Sequence, residues 1–191
     1  MFNAQSTNVG STEMELIPKG TVAQAILVVK ERKNSQSTGG DYVSIELAIQ
    51  GGQYNNRRVF GMLCNPFDTN NSEVWRQMGI GAITRILESK GVFNPEHPES
   101  YEQFNDGEFL NIIEAINGAG VVIKVGIDKG KDGRADRNSI ADWGSPNPAS
   151  NGHKLWAQAT EGSAPAPAPV PAAKAAAPAA ATAGKKPAWL K

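Results

Sequence analysis

Residues 42–49 alternate without a break. Val43, Ile45, Leu47 and Ile49 fall on one side, and Tyr42, Ser44, Glu46 and Ala48 on the other, the period-two pattern of a half-buried strand. Before them, residues 21–32 (TVAQAILVVKER) are rich in β-branched side chains and end in charge, which predicts a first strand entered past Pro18 and Gly20. The cluster NSQSTGG at 34–40 is a turn, and Gly51-Gly52 turns the chain again. Residues 57–64 (RRVFGMLC) then read as a third strand, with Gly61 marking a bulge or sharp bend. The period changes after 65–71. Ser72 is a candidate N-cap, and Trp75, Met78, Ala82, Ile83, Ile86 and Leu87 recur at helical spacing as far as Gly91, although Gly79 and Gly81 weaken the pattern. Residues 94–106 read as an acidic loop, 108–116 as a short second helix, 121–127 (VVIKVGI) as a fourth strand, 128–136 as a hairpin connection and 137–143 as a fifth strand. Gly144 and Pro146 close the domain, with a trailing segment to about Thr160.

The chain is thus expected to be mainly β: a five-stranded OB-fold-like barrel with one or two helices between strands 3 and 4 and a disordered C-terminal tail. The competing arrangement is an open antiparallel α+β sandwich. Tight turns between the first three strands argue against parallel βαβ units. Residues 1–160 form the expected domain, opening on a flexible arm. Residues 161–184, nearly all Ala, Pro and Val beyond Ser163, form a linker, and 185–191 a basic and aromatic tip.

Charge refines this picture by its distribution. The 191 residues carry 19 basic and 19 acidic side chains, a net charge of zero, so no basic excess announces a nucleic-acid partner. Yet no Lys or Arg lies between Lys90 and Lys124, where Glu96, Glu99, Glu102, Asp106, Glu108 and Glu114 fall. Basic residues gather elsewhere, at Lys30, Arg32 and Lys33, at Arg57 and Arg58, and at Lys124, Lys129, Lys131, Arg134 and Arg137. One basic face and one acidic lobe would produce that segregation, as would ordinary solvated surface.

Catalytic chemistry is not visible. A single cysteine, Cys64, allows no internal disulfide and reads as a buried structural thiol. His97 and His153 sit in no Cys/His cluster, so no zinc site is expected. No GxxxxGK[ST] loop is present. The run DKGKDG only superficially resembles a calcium loop, because its third position is Gly130 and its terminal position Ser139. The expectation is a non-enzymatic protein without cofactor or metal. The polar start of the chain and the lack of a long apolar run predict a cytoplasmic protein with no membrane partner.

Binding residues follow from the alternation. With Val43, Ile45 and Leu47 inside, Tyr42 faces out. With Val59 and Leu63 inside, Arg58, Phe60 and Met62 face out; Lys124, Arg137, Ser139 and Trp143 are placed outside in the same way. A sheet face carrying Tyr42, Arg58, Phe60, Lys124, Arg137 and Trp143 would offer bases aromatic surfaces and phosphates cations. Arg57, Lys30, Arg32, Lys33, Lys129, Lys131 and Arg134 would rim it. The alternative is that Phe60 and Trp143 cap the barrel ends or pack under the helix, and a register slip of one would swap every side chain.

The run LIPKGTVAQAILVVKERKNSQSTGGDYVSIELAIQGGQYNNRRVFGMLCN, with the later hairpin VVIKVGIDKGKDGRADRNSIADW, resembles a bacteriophage family of formerly unknown function. Its members are read as OB-fold single-stranded DNA-binding proteins serving replication and recombination. The resemblance covers residues 16–146 and lies in strand texture and turns. It implies single-stranded DNA as the partner, self-association being compatible, and the host cytoplasm as the location. Some proteins of this kind end in an acidic recruiting tip, whereas this sequence has GKKPAWLK there. Trp189 and Leu190, with Lys185 and Lys186, are therefore the candidate contacts for a replication or recombination partner. An OB-like adaptor that touches DNA weakly or not at all is the alternative function.

Overall fold

A computed structural model describes residues 15–104, 107–131 and 133–161. Its centre is one five-stranded antiparallel sheet in the order β3-β2-β1-β4-β5. Strand β1 (Val22–Asn34) is long because it serves two neighbours. Its first half pairs with β4 (Gly120–Asp128), from Val22 opposite Lys124 to Ile26 opposite Gly120, and nearly its whole length pairs with β2 (Asp41–Gln50). A register shift between Val29 and Glu31 lets β1 bend between those roles. Strand β3 (Arg58–Cys64) pairs with β2, and β5 (Arg137–Trp143) with β4.

Alternate strands along this order run the same way, so β3 and β5 are parallel where the sheet curls round and its two edges meet. Gly61 makes that seam close: a Cβ there would lie 2.5 Å from Cδ1 of Ile140. The glycine is therefore the contact point that allows the two edges together; of the bulge or sharp bend its position suggested, the bulge is absent, since the β2–β3 ladder passes through Gly61 in register. Helix α1 (Glu73–Ser89) lies between β3 and β4 in the chain, and the whole is an OB-like barrel.

The interior confirms the alternation. Val43, Ile45, Leu47 and Ile49 are buried with Ala25, Leu27, Val59, Leu63, Val121, Ile123 and Val125 in one cluster. Helix α1 starts where expected, Ser72 Oγ accepting from the Trp75 N–H at 3.3 Å. The glycines that weaken its propensity include one that the packing requires. Gly79 lies against β3, where a Cβ would come 2.5 Å from Cys64 Sγ, and the Cys64 thiol donates to the Trp75 carbonyl at 2.9 Å. Burial pushes that thiol's pKa up. Two apolar residues of the helical pattern are less covered than its spacing predicted: Trp75 is half-buried and Met78 is 66% exposed.

Helix α2 (Phe109–Ile116) closes one end of the barrel with Phe109, Ile112 and Ile116. A 3-10 turn over Pro98–Glu102 interrupts the predicted loop before it. Glu88 of α1, buried, accepts from Tyr101 Oη and Asn147 Nδ2 at 2.8 Å each and from the Ser145 hydroxyl, which satisfies a carboxylate otherwise costly to bury. Burial first, and then the bond to Glu88, push the Tyr101 pKa up to about 12. At the other end Ile17, fully buried, is held by Asn138, whose side chain accepts from the Ile17 N–H at 2.9 Å and donates to its carbonyl at 2.8 Å. The trailing segment contains an unexpected helix, α3 (His153–Glu161), packed outside β1 and β4. It covers Val122, on the outer side of β4, and Gln24 Nε2 donates to the Ala159 carbonyl at 3.2 Å. Among the described residues, no helix is long and apolar enough to cross a membrane.

Candidate nucleic-acid interface

Among the described residues, helices α1, α2 and α3 leave one side of the barrel bare. Helix α3 occupies the outside of β1 and β4, α1 packs against β3, β4 and β5, and α2 sits at an end. What remains is the outer face of β2 and β3 with the adjoining part of β1. Its cross-strand pairs are Ala48 with Arg58, Glu46 with Phe60, and Ser44 with Met62. The β2 members do not roof their partners, so Phe60 is 59% and Met62 52% exposed. Two large apolar side chains thus stand in file on this face, open to water.

Their surroundings are cationic but tied down. Glu46 accepts from Arg58 Nη1 at 2.6 Å, and its other oxygen lies 3.3 Å from Lys30 Nζ. The bridge spans β1, β2 and β3, and it leaves the Glu46 side chain only 8% exposed although it projects from the outer face. Lys33 pairs with Glu31 at 2.9 Å, and that bond raises its pKa. Tyr42, opposite Cys64, leans on Trp75 with ring centroids 6.0 Å apart and is half-buried. It borders the face at its far end.

At the near end lies the β4–β5 hairpin. Gly61 and Ile140 meet at the seam, each three positions into its strand, so the parallel β3 and β5 begin at the same end of the barrel and Arg137 shares it with Arg58. Lys129 pairs with Asp136 at 2.6 Å, and together with the Gly130 N–H it holds that carboxyl below the usual carboxylate range. Arg137 pairs with Asp128 at 3.5 Å. Lys131 and Arg134 are exposed and form no ion pair with a described residue. No group of three or more His, Cys, Asp or Glu among the described residues is placed to hold a metal.

No family model matches the chain, and no curated protein matches it. Among solved structures it is similar to a chain of yeast RPA bound to ssDNA, at 12% identity over 83% of this chain and 93% of that one, with a TM-score of 0.33.

The structure brings together Lys30, Arg58 and Phe60, with Tyr42, Lys33 and the hairpin residues Lys129, Lys131, Arg134 and Arg137 around them. Others it sets apart. Arg32 pairs in register with Val43, on the inward side. Its guanidinium grips the buried Asp41 at 2.6 Å and 2.9 Å and lies 5.7 Å from the centre of the Phe109 ring, so it closes a barrel end, and its pKa is raised by Asp41. Arg57 is half-buried and donates to the Glu15 carbonyl at 2.7 Å. Lys124 is exposed on the outer side of β4, beyond β1 from the bare face.

Trp143 is the clear correction. Strand alternation places it outside with Arg137 and Ser139, but it is a core residue, 9% exposed, opposite Ile123. The register shift between Lys124 and Val125 leaves Ala141 without a partner, so Ile140 and Trp143 both turn inward. Lys185, Lys186, Trp189 and Leu190 lie outside the described residues. Met62 belongs to the site, and its outward position was readable from the strand's alternation. The role of Glu46 was not readable, because it depends on the register of three strands.

Proposed function

We propose that this chain binds single-stranded DNA without reading its sequence, along the outer face of β2 and β3, and that it does so as a binding protein rather than an enzyme. Phe60 and Met62 offer surfaces against which bases pack, and stacking of this kind is tolerant of sequence because every base has a π-face. Lys30, Arg58 and the hairpin cations Lys131, Arg134 and Arg137 lie where the phosphates of such a strand would pass. The observation that carries this reading is the pair of exposed apolar side chains on the side of an OB-like barrel that no helix of the described residues covers. A role in phage-type replication or recombination follows from the family resemblance of the sequence and belongs to the same proposal.

A protein-interaction adaptor is the second reading. It is favoured by a groove between α1 and β5, lined by Ile140 and Ala141 on one side and on the other by Val74 and Met78, which are 71% and 66% exposed.

Fluorescence anisotropy separates the two. The full chain, titrated into labelled oligo-dT and into a duplex of equal length at two salt concentrations, should bind the single strand more tightly. Affinity should fall with salt at a log–log slope of about −0.7 per phosphate neutralised. Absence of oligo-dT binding at low salt would leave the adaptor.

A further inference from the structure

We infer that Glu46 is a built-in restraint on the affinity of this face: its carboxylate occupies Lys30 and Arg58 so that phosphates must compete for them. The inference rests on the single-strand reading above.

The outer side of a sheet is where a glutamate normally lies open to water. Glu46 does not. It sits between Ser44 and Ala48 along β2, opposite Phe60 on β3 and Val28 on β1. Each oxygen engages a different strand's cation, Arg58 at 2.6 Å and Lys30 at 3.3 Å, and the side chain is 8% exposed while both partners are exposed. The three groups together carry one net positive charge where two would otherwise face a bound strand. A negative charge at the middle of a phosphate-binding face also repels the ligand directly.

Neither cation needs Glu46 to be tolerated, since both side chains reach water. The carboxylate, by contrast, depends on both of them for its burial. The arrangement therefore weakens binding without being required for the cations' own placement, and it gives the strand a competitor that re-forms the ion pairs as DNA leaves.

The test is Glu46→Gln in the full chain, which keeps the shape and removes the charge. A gain of one phosphate contact corresponds to roughly a fivefold rise in oligo-dT affinity at 0.1 M salt, and of two to roughly 25-fold, with the log–log salt slope steeper by about 0.7 to 1.4. A thermal melt accompanies each titration. Unchanged or lower affinity with an unchanged slope, in a variant that melts like the wild type, would overturn the restraint while leaving the single-strand reading intact. If the wild type itself does not bind, the reading beneath it fails first.

Should the variant not fold, the wild-type protein still answers. The side-chain carboxyl carbon resonance of Glu46 should move when oligo-dT draws Lys30 and Arg58 away. A resonance that stays in place at saturation would overturn the inference.

Discussion

Phe60→Ala should weaken oligo-dT binding by between about fivefold and somewhat over a hundredfold, the range that corresponds to the roughly 1–3 kcal/mol of one base–aromatic stack, and should leave the fold intact. Phe60 is 59% exposed and contributes nothing to the core cluster, so its removal opens no cavity. Its β2 partner Glu46 remains held by Arg58 and Lys30. The loss should appear equally at low and high salt, because stacking releases no counterions; this separates it from the loss of a cation, which would flatten the salt slope. Binding by Phe60→Ala at wild-type affinity would mean that bases do not pack on this face.

Trp143→Ala should act in the opposite way, on stability. Trp143 is enclosed with Ile123, Ile140 and the rest of the interior, and its carbonyl accepts from Arg85 Nη1 at 3.2 Å, which fastens α1 to the end of β5. Truncation of a buried tryptophan costs about 3–5 kcal/mol, a large share of the ~5–15 kcal/mol by which domains are stable. With a urea dependence of about 2 kcal/mol per molar, the midpoint should fall by roughly 1.5–2.5 M. Whatever variant remains folded should bind oligo-dT normally. A stable Trp143→Ala protein with lost binding would put the tryptophan back on the surface where strand alternation alone had placed it.

That misplacement marks where the sequence stopped being informative. The inward set of β2 was legible because Val43, Ile45, Leu47 and Ile49 alternate through a strand that itself contains no extra residue; the one irregularity of its ladder with β1 falls on the β1 side, at Lys30. In strand β5 (RNSIADW) Ile140 alone set the inward side, and one unpaired residue, Ala141, reverses the parity of the residues after it; a bulge is a property of two strands, not one. Helix α3 went unread because residues 153–161 are few and hold only two large apolar side chains, Leu155 and Trp156; Trp156 becomes informative only against Val122 and Gly144. Gly79 counted against α1 for its propensity, yet contact with Cys64 requires it. Of the site, Arg58, Phe60 and Lys30 were readable from alternation and charge. The burial of Glu46 between two of them was not, since it needs the pairings of β1 with β2 and of β2 with β3 at once.

Amide chemical-shift mapping of the full chain with oligo-dT tests most directly whether a single strand lies on the bare face of the barrel. A strand bound there should concentrate the shifts at Ser44 and Glu46, at Arg58, Phe60 and Met62, and along the hairpin at Lys131, Arg134 and Arg137, with the α3-covered side of β4 around Val122 unmoved. Shifts confined to the α1–β5 groove at Val74 and Met78, or none at saturating oligonucleotide, would contradict binding on this face.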